Sequence, residues 1–64
     1  MRIYKNIKLR CTAMDISVAQ LERALGFTRG AIYKWDRNTP AVDKVIAVAK
    51  ALRCSVEDLV KEGK

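Results

Sequence analysis

Ser17-Val18-Ala19-Gln20-Leu21-Glu22-Arg23-Ala24-Leu25-Gly26-Phe27-Thr28-Arg29-Gly30-Ala31-Ile32-Tyr33-Lys34-Trp35-Asp36-Arg37 is the stretch that decides the fold. Ser17 with Gln20 three residues later is a capping box, in which side chains satisfy the orphan amides of a helix start. Leu21, Ala24 and Leu25 supply an apolar face, and Gly26 is the residue type that ends a helix in the left-handed region. Thr28 then reads as the N-cap of a second helix. In that helix Ile32 and Trp35 are three apart and face inward, leaving Arg29, Gly30, Tyr33 and Lys34 outside, with Arg37 just beyond. The turn Gly26-Phe27-Thr28 is short enough to force two helices to cross steeply, as in helix-turn-helix units. The first helix braces the second, whose outer face stands clear and fits a groove about 12 Å wide.

Upstream, Ile3, Ile7, Cys11 and Met14 recur at the spacing of one helical face, which predicts a helix over 2–14. Downstream, Pro40 is suited to a first helical turn. Val42, Val45, Ile46, Ala49 and Leu52 then form an apolar stripe that predicts a helix over 41–52. Ser55 caps a last short helix over 55–61, with Asp58 three residues on and Val56, Leu59 and Val60 as its apolar residues. The expectation is one all-α domain of five helices, about 2–14, 17–25, 28–36, 41–52 and 55–61.

Sixty-four residues leave room for a single domain, whose folding buries only about 60% of the unfolded surface. Half the residues are apolar, which excludes disorder by composition. Thirteen Lys or Arg against seven Asp or Glu give a net charge of +6, a field that favours polyanions. Basic residues spread over several short capped helices do not make a membrane-surface helix, and no stretch is long and apolar enough to span a bilayer.

With two cysteines and no histidine, a structural zinc site is excluded. Cys11 and Cys54 in a chain with no signal peptide read as buried small hydrophobes in a reducing cytoplasm. No nucleophile-base pair, carboxylate cluster or phosphate-cradling Gly loop is present, so an enzyme is not expected. Neither is a cofactor, a metal or a small-molecule ligand.

The joint spacing over nearly the whole chain resembles the phage Cro and repressor type of helix-turn-helix, the XRE-like family with the lambda-repressor-like fold. Ile16-Ser17, Leu21-Glu22, Leu25-Gly26-Phe27-Thr28, Ile32 and Trp35 carry the motif. Pro40 to Ile46, Ala49 to Leu52 and Ser55 to Leu59 look like the family's last two helices. The resemblance implies double-stranded DNA as partner, with the segment 28–36 in the major groove. It implies base reading by Arg29, Gly30, Tyr33 and Lys34. It implies phosphate contacts by Ser17, Val18, Thr28 (with the amides that follow it), Arg37, Asn38, Thr39 and Lys44.

It also implies a homodimer on a pseudo-palindromic operator, joined through Val56, Leu59 and Val60, and a transcriptional regulator of the phage or prophage repressor type. The alternative is an antitoxin-like module that binds both DNA and a protein. Four residues depart from the family's pattern. Glu22 stands for the small residue usual at the close helix-helix contact, and Gly30 for a reading side chain. Asp15 stands for the Gly that often ends the first helix, and Arg53 for the Gly or Asn that often follows the fourth.

Overall fold

The computed structural model describes residues 2–61. Helix α1, Ile3–Ala13, forms on the expected stripe, with Ile3, Ile7 and Cys11 buried to 1% exposure or less. Arg2 at its N-cap makes no side-chain cap; instead Asp36, from far along the chain, accepts the Tyr4 N–H at 2.9 Å. The helix ends in a Schellman motif. Asp15 turns into the left-handed region at φ 62°, and the Ile16 N–H reaches the Cys11 carbonyl at 3.0 Å. That ending lifts Met14 off the stripe, and it is exposed instead of core.

Helix α2, Val18–Leu25, starts with the expected capping box and stops at Gly26, φ 75°. Leu21 is buried and Leu25 half-buried, but Ala24 is exposed. The side chain that takes the inner place is Glu22, the only charged residue buried among those described.

Helix α3, Val42–Ala51, is rotated from the expected stripe. Its core face is Val45, Val48, Ala49 and Leu52, while Val42 and Ile46 look outward. Both sets fit helical spacing, and contact with α2 and α4 selects the first. A second Schellman ending follows, with Arg53 at φ 57° and the Cys54 N–H on the Ala49 carbonyl. Helix α4, Val56–Val60, is opened by Ser55 and Asp58 in a second capping box. Leu59 is its fully buried anchor, and Asn6 of α1 ties down its end by donating to the carbonyls of Leu59 and Lys61.

The helix expected over 28–36 is the main difference. Thr28 caps nothing, and only Ile32–Asp36 is helical, as a 3₁₀ helix whose N-cap position is Ala31. The described residues therefore hold four α-helices and one 3₁₀ helix, and the all-α class stands. Ile3, Ile7, Ile32, Val48 and Leu59, all at 0% exposure, form the centre of the core together with Trp35. Fully burying an aliphatic side chain of this kind stabilises by about 1.5–3 kcal/mol.

Candidate nucleic-acid interface

Six residues, from Gly26 to Ala31, separate α2 from the 3₁₀ helix. The chain first reverses at Gly26, where the Phe27 N–H bonds the Glu22 carbonyl at 2.8 Å. It then makes a tight turn closed by the Ala31 N–H on the Thr28 carbonyl at 3.0 Å, with Gly30 at φ 86°. A positive φ at the third position of such a turn is the conformation for which glycine is used. A Cβ there would meet nothing within 4 Å, so the demand is on backbone angle and not on space.

The amides around this turn are held by Glu22. One carboxylate oxygen accepts the Gly30 N–H at 2.9 Å and the other the Ile32 N–H at 3.0 Å. This accounts for the departure noted at Glu22: a side chain from α2 does the work expected of an N-cap at Thr28. It also narrows an expectation, because the Gly30 and Ala31 amides that follow Thr28 are already bonded inside the protein.

Ile32 and Trp35 face inward as expected, and Trp35 leans on Phe27 with ring centroids 5.9 Å apart. Their burial fixes which side of the segment faces out. Thr28, Arg29, Lys34, Asn38, Thr39 and Lys44 come together around one shallow groove of about 500 Å³, with Trp35 and Pro40 among its walls. No acidic residue lines it. The Lys44 ammonium sits 5.9 Å from the Phe27 ring centroid, a cation–π distance that holds it at the rim.

The remaining expected residues lie around this groove. Tyr33 is 62% exposed and packs edge-on against Tyr4, centroids 5.2 Å apart. Arg37 is exposed just past the 3₁₀ helix, its N–H on the Lys34 carbonyl. Ser17 and Val18 line a separate cleft with Tyr4, Lys8 and Thr12. The Ser17 N–H is committed to the Gln20 side chain at 2.7 Å. Val56 and Val60 border an apolar groove with Ile3, Pro40 and Val42. Leu59 does not join them: at 0% exposure it is core and has no surface to offer a partner.

Sequence reasoning missed Glu22 as an anchor and Asp36 as the cap of α1. The one available signal for the first was an acidic residue next to Leu21 on an otherwise apolar face.

Burial pushes the thiols of Cys11 and Cys54 up, toward the protonated form. Among the described residues no group of His, Cys, Asp or Glu could hold a metal ion. No described helix is long and apolar enough to cross a membrane.

A capped helix, a glycine turn and a second helical segment pinned by two core residues, with a basic acid-free groove on its outer side, define a helix-turn-helix DNA-binding domain. The chain belongs to the family of the Cro/C1-type HTH DNA-binding domain, whose sequence model matches residues 6–61. Comparison with curated proteins and with solved structures gave no match. Family membership makes this a domain for sequence-specific DNA binding by a transcription regulator, in a family whose work is binding and not catalysis.

Proposed function

We propose that the chain is a phage-type transcriptional repressor that binds a pseudo-palindromic operator as a homodimer. The observation that carries this reading is the acid-free groove shared by Thr28, Arg29, Lys34, Asn38, Thr39 and Lys44. Arg29 reads a guanine through O6 and N7, the pair that Arg contacts bidentately. Lys34 and Tyr33 read neighbouring base edges, and Gly30 lets the backbone come close. Thr28, Asn38, Thr39, Lys44 and Arg37 hold phosphates, and so do the Ser17 hydroxyl and the Val18 amide at the start of α2. These contacts set the register and make affinity fall with salt. Val56 and Val60 join the two copies, whose half-sites lie about 34 Å apart.

Selection of binding sites from random duplexes tests this reading. A palindromic consensus supports both DNA reading and the dimer; no enrichment refutes it. On the selected operator, Arg29→Ala should lose about 1–3 kcal/mol and relax preference at one base pair, whereas Lys44→Ala should weaken all sequences alike and lower the salt slope by about one. Equal loss on every sequence for Arg29→Ala would make Arg29 a phosphate contact and overturn its assignment.

A further inference from the structure

We propose that Glu22 is the positioning residue for base reading: it never meets DNA, yet its buried carboxylate sets where Arg29 points. The proposal rests on the DNA-reading function above.

The geometry carries it. Glu22 is 3% exposed, and its two oxygens bond amides two residues apart, Gly30 and Ile32. The amide between them, Ala31, is bonded to the Thr28 carbonyl. Three successive amides are thus satisfied internally, so this part of the turn is anchored without a DNA phosphate. Arg29 directly precedes the first amide that Glu22 holds, and Tyr33 directly follows the second. The carboxylate therefore clamps the stretch of backbone that joins the reading side chains, and it clamps that stretch to α2.

An ordinary helical ladder does not hold this backbone. The 3₁₀ helix starts only at Ile32, and Gly30 stands at φ 86°, a residue free to take other backbone angles once released. Charge-assisted bonds to backbone amides are the strong class of hydrogen bond. A glutamine in the same place keeps one acceptor, but its NH₂ then opposes a second N–H donor. The released turn can swing about Gly30 and take Arg29 with it. A recognition constellation must be held to about 0.5 Å by its supporting residues to stay productive.

The test uses the full chain with Glu22→Gln, at a temperature where circular dichroism shows both proteins fully folded. Binding is measured on the selected operator, on the operator altered at the base pair that Arg29→Ala identifies, and on random duplex. The expected result is a loss of about tenfold or more in discrimination at that base pair, the scale of one bidentate contact, with random-duplex affinity unchanged. Arg29→Ala and Glu22→Gln should be non-additive, because the second acts through the first. A cap of purely structural importance would give a folded variant with full discrimination, or additive losses, and either result overturns the proposal.

If Glu22→Gln does not fold, hydrogen exchange of the wild-type Gly30 and Ile32 amides decides instead. Equal protection with and without operator supports the clamp; protection that appears only with operator overturns it. A wild type with no preferred sequence would instead sink the DNA-reading function itself, a result separate from a selective wild type with an equally selective variant.

Discussion

Asp15 and Arg53 stand in the left-handed region, at φ 62° and 57°, each just past a helix in a Schellman ending. Replacing both by glycine should stabilise the domain. An L-residue there costs roughly 1–2 kcal/mol that glycine avoids. Glycine gives back about 0.5–1 kcal/mol through its greater freedom in the unfolded chain. The net gain is about 0.5–1 kcal/mol per site, and the sites end different helices, so the double variant should gain about 1–2 kcal/mol. In a domain of this size each kcal/mol moves the melting temperature by about 4–8 °C, which puts the double variant on the order of 10 °C above the wild type. One acid and one base are lost together, so the net charge of +6 does not change and cannot account for the shift. Thermal melting followed by far-ultraviolet circular dichroism measures it. Ala24→Gly, on the exposed face of α2, is the control and should lower stability by about 1 kcal/mol. A double variant that melts at or below the wild type would refute the reasoning, since the two residues then bear no left-handed strain.

The register of α3 can be checked by comparing two valines in urea unfolding. Val48→Ala removes two buried methyl groups from a 0%-exposed site and should cost about 2 kcal/mol, while Val42→Ala, 71% exposed, should stay within about 0.5 kcal/mol. The Ser55 N–H bonded to Asp58 holds its carboxyl below the usual carboxylate range, with the Ser55 hydroxyl adding to the effect. A depressed value stabilises the fold above the ordinary range and is lost as pH falls through the folded value. The wild type should therefore exceed Asp58→Asn at neutral pH and approach it in acid, a convergence that melts across a pH series will show or fail to show.

Features set by neighbouring residues were readable in the sequence. Both capping boxes depend on side chains three residues apart, and the left-handed residue at Gly26 needs nothing beyond its own lack of a Cβ. The α1 stripe was readable because only one face of that helix is apolar enough to be core. Ambiguity arose where two faces competed. In α3, Val42 and Ile46 fit helical spacing as well as Val48 does, and only the positions of α2 and α4 decide between them. Helix ends were misjudged by a residue or two because an αL residue can be Asp or Arg when the Schellman bonds hold it. At the interface, the groove residues from Thr28 to Lys44 were readable by resemblance to the family. Their support was not, because each bond that provides it joins two elements: the Glu22 carboxylate reaches over from α2, and the Asp36 carboxylate accepts an amide of α1.

That last point explains how the reading segment exists at all. Five residues of 3₁₀ helix cannot stand alone, since a helix this short has few internal bonds to offset the cost of its first turn. Here Glu22 of α2 holds its start, and at its other end Asp36 accepts an amide of α1. Between them Ile32 and Trp35 enter the core. The segment's place is thus set by tertiary bonds at both ends, which is why a local cue such as Thr28 pointed to a longer helix than the one that forms. The motif contains two acids beside its basic residues, and both are committed to backbone amides. Neither lines the groove, so Arg29, Lys34 and Lys44 meet a polyanion there with no acid among the lining residues.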